Sequence, residues 1–306
     1  MRVWVPFESE AEARDKLGEL PDDLELDFYT GGDFPSTADE VEVYVHPYLG
    51  AHDPWERFGE LPKLKVVLIQ SAGYEDIQPY IPEGVTLCNA AGVHDASTAE
   101  MAVGLSLALG RHLDAYARNQ TTGTWEPQFG RSLADQRVTI LGYGHIGQAI
   151  ERRLTGFEVA SITRIARRAR TEPVPVRPIT ELDDVLPDTD VLFVITPLTP
   201  DTEKIIDKHA LALLPDGAQV INVGRGRLID TDALVAETSS GRLTAGLDVT
   251  EPEPLPADHP LWTSPGVLIS PHTGGASSAF FPRSNALIAA QLRRYATGQP
   301  LENVIA

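Results

Sequence analysis

Cysteine is nearly absent from this chain: Cys88 is the only one among 306 residues. No intramolecular disulfide can form, and a reducing compartment is the expected setting. Its place in Val85-Thr86-Leu87-Cys88, a short apolar run, reads as a small buried side chain. Long hydrophobic stretches are lacking too. The longest, Met101 to Gly110, has about ten residues between Glu100 and Arg111, where a bilayer crossing needs about 20. The opening Met1-Arg2-Val3-Trp4-Val5-Pro6 is too short in apolar length for a signal peptide. Positive charge is scarce, with 25 Lys and Arg against 44 Asp and Glu, a formal charge of -19. A nucleic-acid partner is not expected, because phosphate binding needs clustered Lys and Arg. Anionic membranes repel such a surface, which also suits a salty cytoplasm. Repeats, low-complexity tracts and long charge runs are missing, no metal site is expected, and the reading is a cytoplasmic globular protein.

What is present is an alternation of short apolar runs with helical stretches. Strands are expected at Val3 to Val5, Val41 to Val45, Lys65 to Ile69, Val138 to Leu141, Val191 to Ile195, Gln219 to Val223 and Val267 to Ile269. Helices are expected at Glu8 to Leu20, Ala96 to Arg118, Ile146 to Leu154, Thr231 to Glu237 and Ser278 to Ala296. Continuous rather than alternating apolar runs suit parallel strands buried on both faces, which makes the class α/β. The length favours two domains. A glycine-rich loop opens only at Gly142, so the residues before it form something else. The expected division is 1–95 with 276–306 as a substrate domain, and 96–275 as a dinucleotide-binding domain. The long Ala96–Arg118 helix bridges the two parts, and the last helix returns to the first.

Val138 to Leu141 runs into Gly142-Tyr143-Gly144-His145-Ile146-Gly147 and then a helix, which is a dinucleotide-binding loop in its proper setting. Gly142 allows the tight turn, Gly144 lets backbone approach a pyrophosphate, and Gly147 lets helix and strand pack. The helix N-terminus offers free N–H groups to the phosphates. An acidic residue about 20 positions on, which would hold a ribose 2′-OH, is missing. The next strand, Val159 to Ile162, ends in Thr163-Arg164-Ile165-Ala166-Arg167-Arg168. Thr163, Arg164 and Arg167 suit a 2′-phosphate, so NADP(H) is the expected cofactor, with NAD(H) possible; the plain alternative is a solvated arginine face.

Polar residues follow strands three times in the second half: Arg225, then Asp248 and Glu253, then His272. Reducing a 2-oxo acid needs a carboxylate anchor, polarisation of the ketone and a proton donor. Arg225 offers a permanent, bidentate charge. His272 titrates in the range to give or take a proton, and Glu253 beside it would favour the imidazolium. Singly, each has a structural alternative: a helix cap for Arg225, a solvated proline-rich loop for Glu251 and Glu253, a packed strand end for His272.

Together these motifs resemble the D-isomer-specific 2-hydroxyacid dehydrogenase family over nearly the whole chain. The resemblance is carried by Gly142–Gly147, Thr196-Pro197-Leu198-Thr199-Pro200, Asn222-Val223-Gly224-Arg225-Gly226, Leu247-Asp248-Val249 with Glu253-Pro254, and Ser270-Pro271-His272. It implies a Rossmann-type, doubly wound cofactor domain beside a smaller flavodoxin-like substrate domain. It also implies an Arg225–Glu253–His272 triad, Asp248 near the nicotinamide carboxamide, and a homodimer built largely through the cofactor domain. Thr196, Pro197, Val223, Gly224 and Gly275 line the cofactor in the same reading. Ser71-Ala72-Gly73 matches the loop whose amides hold the substrate carboxylate, with Ala72 and Gly73, Arg225 and His272 on the substrate. Two departures stand out. The Asp of NAD-using members is replaced around Thr163-Arg164, and Glu75 follows Tyr74 where Asp is common. Glu253 is not the Gln of formate dehydrogenases, and the substrate loop shows no lysine of the phosphite-dehydrogenase kind. A cofactor-sensing corepressor on the same fold is the rival reading. The substrate side-chain pocket is open, with Tyr48, Leu49, Trp125, Phe280 and Phe281 as candidate walls or ordinary core.

Overall fold

The computed structural model describes residues 1–48 and 53–305, apart from the side chains of 53 and 54. Two compact units result: Met1–His94 with Ser278–Ala306, and Asp95–Ser277.

The first unit is built on five parallel strands: β1 (Arg2–Val5), β2 (Glu25–Phe28), β3 (Val41–Val45), β4 (Val66–Leu68) and β5 (Thr86–Cys88). They lie in the order β2-β1-β3-β4-β5, the flavodoxin-like arrangement. Val3, Val5, Val43 and Val45 are buried on one face with Ile288, Ala289 and Leu292 of the helix Phe280–Ala296, and Trp4 and Tyr44 on the other. The first helix is shorter than its apolar pattern suggests. Ser9 caps it by accepting the Glu12 N–H, and Gly18 ends it at φ 68°, a left-handed value a side chain would resist. β2 is missed by the apolar count because its sequence is Glu-Leu-Asp-Phe on a sheet edge, where only part of each residue needs burial. Cys88 is buried, and that burial pushes its thiol up to about 11.

The second unit carries seven parallel strands: β6 (Arg137–Leu141), β7 (Ser161–Ala166), β8 (Arg177–Pro178), β9 (Val191–Val194), β10 (Gln219–Asn222), β11 (Thr244–Leu247) and β12 (Val267–Ile269). Their order, β12-β11-β10-β9-β6-β7-β8, is the doubly wound Rossmann topology. β9 and β10 are buried at every residue, as continuous runs between two helical layers should be.

Three sequence expectations change here. The Ala96–Arg118 helix is two helices, Asp95–Gly110 and Leu113–Thr122, with His112 between them at φ 56°. Gly110 sits so close to Gly130 and to the Arg131 carbonyl that neither glycine has room for a side chain, which fixes the break. The helix Lys208–Leu213 went unforeseen, although Asp207 caps it by accepting the Ala210 N–H at 2.8 Å. The strand expected at Val159 to Ile162 starts at Ser161 and continues to Ala166, pairing with β6 along its length. Arg164 is therefore a mid-strand residue.

Among the described residues, no helix is long and apolar enough to cross a membrane.

Candidate active site

In an open parallel sheet, ligands meet the loops that leave the carboxyl ends of the strands, at the point where strand order reverses. That point lies between β6 and β9. Gly142 leaves β6 at φ 109°, and a Cβ there would stand 2.5 Å from the Ile195 carbonyl carbon and the Thr196 nitrogen. A side chain at Gly147 would strike the Gly142 carbonyl, whereas the Cβ position of Gly144 meets nothing within 4 Å. The three glycines thus serve turn, packing and open approach respectively. Gly144 also stands at the N-cap of the helix His145–Leu154, and no side chain caps it. Free amides of that first turn, with open space before them, fit a dinucleotide pyrophosphate. Ile146 is half-buried there, and the exposed His145 ring lies 3.6 Å from Asp95.

After β9, Thr196 is buried, and Thr202 holds the Thr196–Pro197 turn by donating its hydroxyl to the Pro197 carbonyl at 2.7 Å. Val223 is buried, and Gly224 packs with its Cβ position 3.3 Å from the Ile195 Cα. The Gly142–Gly147, Thr196–Pro197 and Val223–Gly224 segments therefore share one edge of the unit.

The 2′-phosphate set looks different in space. Arg164 is bound to Glu151 by two hydrogen bonds, the Nε one at 2.7 Å, and its guanidinium holds Glu151 below the usual carboxylate range. Tyr143 donates to the same Glu151 and has the guanidiniums of Arg164 and Arg170 at 5.7 and 5.4 Å from its ring centre. Thr163 is mid-strand beside it. The residues that actually follow the carboxyl end of β7 are Arg167 and Arg168, both exposed, with Ala166 where an acid would stand. Arg170, which sequence reasoning passed over, donates to the Tyr143 carbonyl.

The triad candidates come from the next three strand ends. Beyond β10, Asn222 shapes the Arg225 loop, accepting the Gly224 N–H at 3.0 Å and donating to the Arg225 carbonyl at 2.9 Å. Arg225 is half-buried and donates to the Gly224 carbonyl at 2.8 Å. Gly226 meets the backbone of Thr250 and Glu251, so no side chain fits there and the Arg225 and Glu253 loops lie in contact. Beyond β12, His272 Nδ1 lies 2.5 Å from Glu253 Oε1. Its backbone sits at φ 52°, a left-handed conformation that costs a non-glycine residue of order 1 kcal/mol or more. Glu251 makes no such contact with His272.

Asp248 is what holds the His272 loop. Its side chain is buried to 2% exposure. Oδ1 accepts the Ser270 hydroxyl at 2.5 Å and the Thr273 N–H at 2.9 Å, and Oδ2 accepts the Gly274 N–H at 2.8 Å. The His272 N–H reaches the Asp248 carbonyl at 2.8 Å. Both carboxylate oxygens are therefore engaged by the loop, with Gly275 just beyond it. Asp248→Ala should strand three donors, cost on the order of 3 kcal/mol of stability and lower kcat about tenfold. A denaturant melt beside steady-state assays checks this; an unchanged melt refutes the anchoring role.

The family model for "D-isomer specific 2-hydroxyacid dehydrogenase, NAD binding domain" matches residues 103–274. The chain belongs to the D-isomer specific 2-hydroxyacid dehydrogenase family. It is an NAD(P)-dependent 2-hydroxyacid dehydrogenase by that membership. It is 35% identical to a glyoxylate reductase of Thermofilum pendens over 229 residues, 71% of this chain and 67% of the relative. A family structure from Xanthobacter autotrophicus, in complex with NADPH and MES, superposes with a TM-score of 0.83 at 27% identity, covering 100% of this chain and 97% of that one. An NADPH-dependent glyoxylate/hydroxypyruvate reductase of Sinorhizobium meliloti, with NADP and sulfate, gives 0.81 at 26%, covering 99% and 98%.

In the first unit of this dehydrogenase, the Ser71–Gly73 loop follows β4, and the Ser71 hydroxyl donates to the Gly73 carbonyl at 2.7 Å. Of the candidate pocket walls, Tyr48 packs at a tilt against Phe280 at 4.0 Å between ring centres, and Phe280 is fully buried and therefore core. Phe281 and Trp125 are exposed, and Leu49 lies outside the described residues.

Proposed function

We propose that this dehydrogenase reduces a small 2-oxo acid of the glyoxylate or hydroxypyruvate kind to the 2-hydroxy acid, the D isomer wherever the product is chiral, with NADP(H) preferred and NAD(H) possible. The observation that carries the reading is the 2.5 Å pair between His272 and Glu253, on a loop that touches the Arg225 loop. An imidazole so paired has one nitrogen held by a carboxylate and the other available for a substrate oxygen. The intact pair, with His272 half-exposed, weighs against the reading as a cofactor-sensing corepressor.

In this reading the Gly142–Gly147 turn, with Thr196, Pro197, Val223, Gly224, Asp248 and Gly275, holds the dinucleotide. When bound in its reduced form, the cofactor supplies hydride to C2 of the 2-oxo acid. His272 gives its proton to the ketone oxygen, and Glu253 stabilises the imidazolium and keeps the ring's orientation. Arg225 binds the substrate carboxylate and polarises the carbonyl. The Ala72 and Gly73 amides are assigned the carboxylate as well. Asp248 acts here through the loop it anchors.

For the cofactor, Arg167 and Arg168 take the 2′-phosphate, with Ala166 sparing it a carboxylate's repulsion. Arg164 and Thr163 serve at one remove: the Glu151 pairing uses the Arg164 charge to order Tyr143. The Xanthobacter relative, in complex with NADPH, and the NADPH-dependent Sinorhizobium reductase, with NADP, support the preference. We also assign a cytoplasmic homodimer. Leu113, Trp125 and Phe129 support it, exposed at 54%, 96% and 104% along one segment of the second unit where solvent alone is a poor neighbour.

The test is loss of absorbance at 340 nm with NADPH or NADH across a panel of 2-oxo acids. Turnover of glyoxylate or hydroxypyruvate, faster with NADPH, is expected. Arg167→Ala should cut kcat/KM for NADPH by about tenfold or more and leave NADH nearly unchanged. Equal losses with both cofactors would remove Arg167 from the 2′-phosphate site. Cofactor binding without turnover of any acid would overturn the enzymatic reading.

A further inference from the structure

We infer that Asn89 is a positioning residue for the reaction: it sets the peptide between Ala72 and Gly73 so that the Gly73 N–H is presented to the substrate carboxylate. The inference rests on the reading of Ser71–Gly73 as a carboxylate-holding loop. All the atoms involved lie within the first unit.

Asn89 follows β5 and Ser71 follows β4, and pairing continues past the strand ends, with the Ala90 N–H donating to the Ser71 carbonyl at 2.8 Å. Asn89 Nδ2 donates to the Ala72 carbonyl at 2.6 Å. In a planar trans peptide the carbonyl and the next N–H point in opposite directions. Tying the Ala72 carbonyl to Asn89 therefore turns the Gly73 N–H away from Asn89 and leaves that bond no freedom to rotate. The side-chain amide has no free choice of orientation, because its Oδ1 accepts the Ala91 N–H at 3.2 Å. The Ser71 hydroxyl on the Gly73 carbonyl fixes the following peptide in turn.

Asn89 is itself clamped. Its N–H donates to the Asn303 carbonyl at 3.1 Å, and Asn303 Nδ2 donates to the Ala91 carbonyl at 3.0 Å. The segment bearing Asn303 is tied to Gln291 through both Glu302 backbone groups, at 2.6 and 2.9 Å. A side chain held so firmly, and buried, has lost its conformational entropy already on folding, so the loop pays none when substrate arrives.

Asn89→Asp keeps the shape and the acceptor for Ala91 but sets a carboxylate oxygen against the Ala72 carbonyl. The KM for glyoxylate should rise about tenfold at pH 7.5, with kcat within about threefold and the KM for NADPH unchanged. Protonation returns a donor to that oxygen, and burial beside a carbonyl favours the protonated form. The ratio of variant to wild-type KM should therefore fall at pH 5, whereas for Asn89→Ala it should stay the same at both pH values. In parallel, oxamate, a 2-oxo acid isostere that cannot accept hydride, is titrated to saturation into 15N-labelled wild type with NADPH, and the Gly73 amide signal should move. A moving Gly73 signal with an Asn89→Asp KM near that of wild type overturns the Asn89 assignment while the loop reading stands. A stationary Gly73 signal overturns both. Losses shared equally by kcat, both KM values and the melting temperature mark a purely structural residue and also overturn it.

Discussion

His272→Ala should lower kcat for 2-oxo acid reduction about a thousandfold while leaving the Kd for NADPH nearly unchanged. His272 is the titratable group at the carboxyl end of β12, half-exposed, with one ring nitrogen 2.5 Å from Glu253. No other side chain on the described loop beside it is an acid near neutral pH: the Ser270 hydroxyl is committed to Asp248, and Thr273 has only an alcohol, far too weakly acidic to replace an imidazolium. Alanine removes the donor, but the loop keeps its three bonds to Asp248, so cofactor binding and stability should survive. The φ of 52° at this position is also relieved no further by alanine than by histidine, which separates a chemical loss from a backbone one. Stopped-flow hydride transfer and fluorescence titration of NADPH check the two halves. A kcat within tenfold of wild type would remove His272 from the proton-transfer role.

Arg225→Lys should reduce kcat/KM by about a hundredfold, chiefly through KM, despite conserving charge. The Arg225 loop is rigid by construction. Asn222 holds it from both sides, and Gly226 has the backbone of Thr250 and Glu251 where a side chain would stand. A rigid base matters only if the group it carries is directional. A guanidinium can bind a carboxylate with two parallel hydrogen bonds, whereas an ammonium is a point charge with no preferred plane. Steady-state kinetics with glyoxylate, compared with the melting temperature, distinguish the two. Wild-type kcat/KM in the lysine variant would mean that charge alone suffices there.

Much of this was legible in the chain itself. Strand positions followed from largely unbroken Val, Ile and Leu runs, since a strand covered on both faces favours apolar side chains and takes a polar one only where it finds a hydrogen-bond partner, as Gln219 and Asn222 do. The glycine loop was legible because its three glycines each answer a separate steric demand, and the structure shows a clash at Gly142 and Gly147 and open space at Gly144. Arg225, Glu253 and His272 were nameable because each follows a strand in a parallel sheet, and such loops gather at one edge whatever the intervening sequence.

What the chain could not reveal is where side chains spend their hydrogen bonds. Arg164 read as a phosphate ligand by composition, but β7 extends to Ala166, and only the fold brings Glu151 of the preceding helix, His145–Leu154, against it. Asp248 read as a cofactor residue, and only the pairing of β11 with β12 shows its carboxylate wrapped in the His272 loop. Asn89 carries no signal in the sequence, and Asn222 and Ser270, although they stand in the family motifs, give no hint there of the hydrogen bonds they make. Periodicity and steric demand are local and can be read along the chain. The partner of a charge or an amide is set by register between segments tens or hundreds of residues apart, and tertiary structure alone decides that.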